Sequence, residues 1–179
     1  NKEARLFDEV MACIDARWGV DEDHVHTTGF SIGCICADML GTLRGEQIAS
    51  SATYSGGYWN NPANEDPMIS WAITWPEYET ENLYPQLFIH GGDNDQYDLV
   101  VTALHFNEYA EADSIWLHDM GHDVMVCDHG SGHTVPMTFN GSKVLQFFQD
   151  HPLGTVDSPY ATDGLPSDWP DYCSFGPAD

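Results

Sequence analysis

The chain has 179 residues, of which 42% are hydrophobic, and its 29 acidic against five basic side chains give a formal net charge of −24. That length suits one domain with a sizeable core, and the apolar content is too high for a disordered chain. So negative a surface repels nucleic acid and anionic membranes, and no run of 18 apolar residues predicts a membrane span. We therefore expect a globular protein whose partners include neither nucleic acid nor membrane.

The apolar pattern predicts helices and strands in alternation. In chain order, the predicted elements are a helix over 3–18, a strand over 24–28, a helix over 32–43, a strand over 47–54, a strand over 86–90, a helix over 98–120, a strand over 124–127 and a helix over 143–148. Residues 58–84 are rich in Pro, Asn and Trp without a clear period, so they are predicted as a long surface excursion. Strands that alternate with helices predict an α/β fold with a mostly parallel sheet flanked by helices.

Residues 29–33 read GFSIG, a G-x-S-x-G pattern. This pattern presents a serine at a sharp turn between a strand and a helix, and the predicted elements on either side provide that context. Glycines are expected at both ends because a side chain there would collide with the neighbouring strand or helix. The pattern makes Ser31 a candidate nucleophile, and the backbone N–H of Ile32 a candidate oxyanion donor.

A nucleophilic serine needs a histidine base and a carboxylate that orients this base. In a parallel sheet such groups come from the loops that follow the strands. The loop after the strand at 86–90 offers Asp95 as the orienting carboxylate, with Asp93 as the alternative acid. Either aspartate could instead cap its own turn.

The loop after the strand at 124–127 contains two histidines. His133 is flanked by glycine and followed closely by Pro136, which makes it the preferred general base, with His129 second. The resulting chain order of the three candidate groups is Ser, Asp, His.

Five cysteines leave an odd one, and their spacing matches no zinc ribbon or C-x-x-C motif. Cys127 and Cys173 are the better disulfide candidates, because the second lies in an irregular tail that needs fastening. Cys34 and Cys36 are predicted to be small buried residues of the helix after Ser31. A disulfide favours an exported, extracellular protein.

Several of these motifs resemble the α/β-hydrolase esterases related to polyhydroxybutyrate depolymerases and feruloyl esterases. The resemblance runs from about residue 3 to 152 and rests on GFSIG at 29–33, SGG at 55–57, HGG at 90–92, CDH at 127–129 and GHTVP at 132–136. It implies the α/β-hydrolase fold and a secreted serine esterase with a Ser31–His133–Asp95 triad and no cofactor or metal. The implied substrates are polyesters, feruloylated or acetylated polysaccharides, or small esters, cleaved through an acyl-enzyme.

The resemblance also implies that this chain supplies the C-terminal half of the fold. In that family several strands precede the helix before the serine turn, and one of their loops gives a second oxyanion donor. Residues 1–152 would then be the C-terminal part of the catalytic domain, and residues 153–179 a Pro- and Cys-containing tail packed on it. An N-terminal half of the same protein, separate or missing, is an expected partner besides the ester substrate.

Two other functions remain open. Five potential ligands fall within sixteen residues and would suit a metal-dependent hydrolase; they are His118, His122, Cys127, His129 and His133. Trp59, Trp71 and Trp75 on the long excursion would suit a non-catalytic or weakly active module that binds carbohydrate or aromatic groups. In an esterase, the same tryptophans are expected to shape the substrate pocket.

Overall fold

Seven strands and five helices form within residues 2–64, 75–78, 80–100 and 102–178, which the computed structural model describes. The strands are β1 (His26–Phe30), β2 (Ser50–Tyr54), β3 (Gln86–His90), β4 (Gln96–Asp98), β5 (Ala103–His105), β6 (Val124–Asp128) and β7 (Cys173–Phe175). The helices are α1 (Lys2–Trp18), α2 (Ile32–Arg44), α3 (Phe106–Asp119), α4 (Gly141–Asp150) and α5 (Pro159–Asp163). None of the described helices combines the length and apolar character needed to cross a bilayer.

A five-stranded sheet in the order β1-β2-β3-β6-β7 forms the centre of the fold. The first four strands of that order pair in parallel, and β7 runs antiparallel beside β6. The mostly parallel sheet predicted from the sequence is therefore confirmed. The carboxyl-terminal ends of the parallel strands lie side by side, where Phe30 pairs with Tyr54 and His90 pairs with Asp128. The loops that contain the candidate catalytic residues leave the sheet at this end of the strands.

Both faces of the sheet are covered, which explains why β2 and β3 are buried along their whole length. Alternation along β3 sends Leu87 and Ile89 to one face, where they join a cluster with Phe147 of α4. Phe88 points to the opposite face and packs with Leu117 of α3. The first face also receives residues of the C-terminal tail.

Helix α1 forms as predicted, but most of its large apolar side chains remain exposed. Leu6, Val10 and Trp18 are all exposed, and Ala4 is the buried residue of this helix. The Arg17 guanidinium lies over the Trp18 ring.

Two segments differ from the prediction. The predicted helix over 98–120 begins only at Phe106, because the residues before it form the β4–β5 hairpin. The amide of Leu99 donates to the carbonyl of Thr102 and closes its turn. The tail was expected to lack regular structure, yet it contains α5 and β7.

The predicted disulfide is confirmed. Cys127 at the end of β6 is bonded to Cys173 of β7, so the tail is fastened directly to the sheet. Of the remaining cysteines, Cys34 is buried as expected, Cys36 is half-buried and Cys13 is exposed.

Candidate active site

Ser31 lies at the turn between β1 and α2 in a strained backbone conformation, with φ of 56° and ψ of −124°. Its amide donates to the carbonyl of Tyr54 at 3.0 Å, which fixes the turn to β2. A Cβ atom at Gly29 would overlap the backbone of Gly33, so glycine is required at this position. At Gly33 itself an added Cβ meets nothing within 4 Å, so the expectation that both glycines are sterically required was wrong for the second.

The structure brings Ser31, His133 and Asp95 into one line of contacts. Ser31 Oγ lies 2.9 Å from Nε2 of His133, and Nδ1 of the same ring lies 2.8 Å from Oδ1 of Asp95. A carboxylate only accepts, so Nδ1 carries the proton and donates to Asp95. In the neutral imidazole, Nε2 is then the nitrogen without a proton and accepts the hydrogen bond from the serine hydroxyl.

The two alternative candidates lie elsewhere. Asp93 is exposed on a 3₁₀ turn, whereas Asp95 is completely buried. The Nδ1 atom of His129 accepts from the amide of Ser131, and its ring packs against Tyr172 rather than Ser31. Burial lowers the pKa of His129.

The Asp95 carboxylate has two further donors, both directed at Oδ2. The hydroxyl of Ser55 and the amide of Gly91 each donate to that oxygen at 2.8 Å. Ser55 is buried at the end of β2 and has a φ of 53°, a conformation that non-glycine residues rarely adopt. Ser55, the first residue of the SGG segment at 55–57, was not predicted from the sequence to take part in the site.

The loops of Asp95 and His133 are joined through Gly91. Its carbonyl accepts from the amide of Gly132, the residue before the histidine, at 2.8 Å. A Cβ atom at Gly91 would overlap the carbonyl oxygen of Gly132, so the two backbones approach too closely for any side chain.

Two aromatic rings hold the imidazole of His133 between them. The ring centroids of Phe30 and Phe106 lie 4.8 and 4.7 Å from that of the histidine, both in stacked geometry. Such packing restricts rotation of the imidazole and keeps its two nitrogens directed at their partners. Phe30 is the residue before Ser31 and Phe106 begins α3, so the stacking of both rings on His133 could not be predicted from the sequence.

An apolar pocket of about 340 Å³ opens beside Ser31. Its other lining residues are Ile32, Ile35, Tyr97, Leu99, Leu104 and Phe106. Thus α2 forms one wall and the β4–β5 hairpin with the start of α3 forms the other.

Trp59 and Trp75, which were expected to shape the substrate pocket, are not among the described residues that line this one. Trp59 is buried in a cluster with Ile35 and Leu104, behind the pocket wall. The Trp75 ring packs edge-on against it at 5.9 Å. The β4–β5 hairpin, which was not predicted from the sequence, supplies Tyr97, Leu99 and Leu104 to the pocket lining. Trp71 lies outside the described residues.

Two buried aspartates hold the segment that follows β2. Asp38 of α2 accepts from the amide of Gly57 at 2.9 Å, and burial raises the pKa of its carboxyl to about 7. Asp113 of α3 accepts from the amide of Tyr58 and from the side chain of Asn61, and burial raises its pKa as well. These contacts anchor the chain directly after Ser55.

The histidine- and cysteine-rich stretch does not form a metal centre within the described part of the chain, where no group of three or more potential ligands is arranged around one point. Cys127 is used in the disulfide, and His122 is buried with Nδ1 bonded to the carbonyl of Tyr84. The disulfide therefore removes Cys127 from the set of ligands that the metal-binding alternative requires.

The overall fold is similar to solved structures named pOPH and sOPH. A serine-to-alanine variant of pOPH in complex with pNPB matches with a TM-score of 0.75 at 15% sequence identity, covering 99% of this chain and 60% of that one. Native sOPH matches with a TM-score of 0.71 at 16% identity, covering 99% of this chain and 61% of that one. The chain thus spans less than two thirds of the length of these proteins. No protein-family model and no curated protein matches it.

Proposed function

We propose that the protein is a serine carboxylic-ester hydrolase of the α/β-hydrolase type. The observation that carries the proposal is the unbroken line of hydrogen bonds from Ser31 through His133 to the buried Asp95. Serine hydrolases on unrelated folds use this arrangement to activate a hydroxyl. The strained turn at the head of a helix is the setting in which α/β-hydrolases hold their nucleophile.

In the acylation step, His133 Nε2 removes the hydroxyl proton while Ser31 Oγ bonds to the ester carbonyl carbon. The carbonyl oxygen becomes an oxyanion, for which the amide of Ile32 at the start of α2 is a donor, assisted by the helix dipole. Asp95 stabilises the imidazolium and keeps its orientation. The tetrahedral intermediate then collapses, the bond to the alcohol oxygen breaks, and Nε2 returns the proton to the leaving alcohol.

In the deacylation step, a water molecule takes the place of the alcohol. His133 removes one of its protons as the oxygen attacks the acyl-enzyme carbonyl. Collapse releases the carboxylic acid and returns the proton to Ser31 Oγ. No step requires a cofactor, and polyesters, feruloylated or acetylated polysaccharides and small esters all present the required carbonyl.

The resemblance to secreted esterases supports three accompanying proposals. The protein is extracellular, and residues 1–152 belong to the catalytic domain with residues 153–179 as its tail. The third proposal is that further polypeptide of the same protein completes the fold. Three features support the last of these. Strand β1 lies at the edge of the sheet. Leu6 and Val10 of α1 are exposed, and pOPH, which was solved with pNPB, is longer than this chain. Such an added segment would be the source of a second oxyanion donor.

Intact mass spectrometry after incubation with a fluorophosphonate tests the proposed nucleophile. We expect one adduct per chain, because only a serine beside an unprotonated imidazole is activated enough to react. The adduct should disappear in Ser31→Ala. Ser131→Ala is the matched control, since Ser131 is an exposed serine two residues before His133, and it should label like the wild type. A folded protein that forms no adduct, or one that labels equally well in Ser31→Ala, contradicts the proposal.

Ser55 provides a separate prediction about positioning. We expect both Ser55→Ala and Ser55→Gly to lower kcat about tenfold with little change in KM, because each removes a hydrogen bond to the Asp95 carboxylate. Glycine also relieves the strain of a positive φ, which alanine retains, so it should restore stability but not rate. Ester-hydrolysis kinetics and thermal unfolding measure the two effects. Full kcat in Ser55→Gly would show that the hydroxyl has no role.

A further inference from the structure

Apart from Ser31 and Tyr97, the residues that line the pocket beside Ser31 have purely hydrocarbon side chains. Ile32 and Ile35 come from successive positions on one face of α2, and Leu99 and Leu104 come from the hairpin opposite. The Tyr97 ring also faces it and is about half exposed. At about 340 Å³ the pocket is at the small end of ligand sites, which suits a short substituent rather than a long chain.

None of the five basic residues of the chain is among the residues that line this pocket. They are Lys2, Arg5 and Arg17 on α1, Arg44 at the end of α2 and Lys143 near the start of α4. Three of them are paired with carboxylates, at Arg5–Glu9, Arg44–Asp8 and Lys143–Asp168. An anionic group in the pocket would therefore meet no lysine or arginine of this chain.

Two acidic residues instead adjoin residues of the site. Asp98 is exposed at the end of β4, directly before Leu99, and the buried Asp95 lies behind His133. A carboxylate brought into the pocket would lose its hydration and be repelled by both groups.

The ester carbonyl carbon must lie at Ser31 Oγ with its oxygen at the Ile32 amide. The pocket begins at these two residues and continues along α2 to Ile35, so a short group attached to the carbonyl carbon can enter it. We infer that the pocket selects esters whose acyl chain is short, apolar and uncharged, and rejects acyl chains that end in a carboxylate. This inference rests on the proposed function and specifies its substrate class.

Hydrolysis of dimethyl succinate at pH 7 in a pH-stat tests the inference, because the first product, monomethyl succinate, has the same carbon chain with a carboxylate at its end. We expect the enzyme to release one equivalent of acid per diester and then to stop. Assayed directly, monomethyl succinate should have a kcat/KM at least about 100-fold below that of the diester. Release of a second equivalent at a comparable rate would overturn the inference.

Two arginine substitutions distinguish rejection of an anionic substrate by the pocket from its repulsion by the net negative charge of the whole protein. Leu99→Arg puts a cation at the pocket mouth and should raise kcat/KM for monomethyl succinate at least about tenfold. Val156→Arg changes the net charge equally at an exposed position in the tail. The amides of its neighbours Leu153 and Ser158 donate to Asp23 and Asp123, which precede β1 and β6. Val156 therefore lies near the amino-terminal ends of the strands, opposite the end that holds Ser31. An equal gain in both variants, or a gain in neither, would overturn the inference.

Failure of the inference can be distinguished from failure of the proposed function. If Ser31 is labelled by a fluorophosphonate but dimethyl succinate is not hydrolysed, the substrate class is wrong and the serine mechanism stands. If neither labelling nor hydrolysis of any ester occurs, the proposed function is wrong and the inference with it.

Discussion

Replacing Asp95 by asparagine is expected to lower kcat about 10⁴-fold at neutral pH while leaving the fold intact. An asparagine side chain can direct its carboxamide N–H groups at Nδ1 of His133, which then becomes the unprotonated nitrogen. The proton moves to Nε2, where it faces Ser31 and blocks removal of the hydroxyl proton. The loss therefore arises from the wrong tautomer, and it should appear in kcat measured with a saturating small ester.

Asp93→Asn is the matched control for this substitution, since it makes the same chemical change two residues away. Asp93 is exposed, so kcat should stay within about twofold of the wild type. Circular dichroism and thermal unfolding of both variants check that activity is compared between folded proteins. An inactive Asp93→Asn beside an active Asp95→Asn would reassign the acid to the alternative that the sequence left open.

The candidate triad could be predicted from sequence because each member lies in a loop directly after a parallel strand. Such strands end at one edge of a sheet, so three separate local signals converge on one place without any knowledge of packing. GFSIG marks Ser31, and glycines mark the loops that carry Asp95 and His133. The choice between Asp95 and Asp93 needed the structure, because burial and direction of a side chain in a turn are not encoded in spacing.

The parts of the site that were missed depend on contacts between distant segments. The hairpin that forms one wall of the pocket is only three residues per strand, which is too short for a clear alternating pattern. Phe106 follows it directly and reaches the His133 ring across a large sequence separation. Trp59, predicted at the pocket because it is aromatic, packs in a buried cluster with the lining residues Ile35 and Leu104.

Ser55 was missed for a different reason. A serine before two glycines is typical of many turns, and nothing in the sequence distinguishes a hydroxyl that caps a turn from one directed at a buried carboxylate. The unusual φ and the hydrogen bond to Asp95 are properties of the folded chain. The hydrogen bond forms because the pairing of β2 with β3 brings Ser55 and the loop of Asp95 next to each other.

Gly91→Ala is expected to lower kcat at least about 100-fold, although it changes no group that takes part in the chemistry. The new Cβ would overlap the carbonyl oxygen of Gly132, so the loops carrying Asp95 and His133 must separate. Separation breaks the Gly132–Gly91 backbone hydrogen bond and displaces the imidazole from Ser31 by a distance on the order of 1 Å, enough to remove most of the benefit of positioning.

Gly141→Ala is the matched control, because it adds the same methyl group at the first residue of α4, where nothing lies within 4 Å. Its kcat should stay within about twofold of the wild type. Fluorophosphonate labelling rates of the two variants measure serine activation directly and separate it from substrate binding. Since φ at Gly91 is −98°, alanine causes no backbone strain there, and any loss of rate in a folded variant is due to the forced separation. A folded Gly91→Ala with the wild-type labelling rate would mean that the contact between the two loops does not hold the base in place.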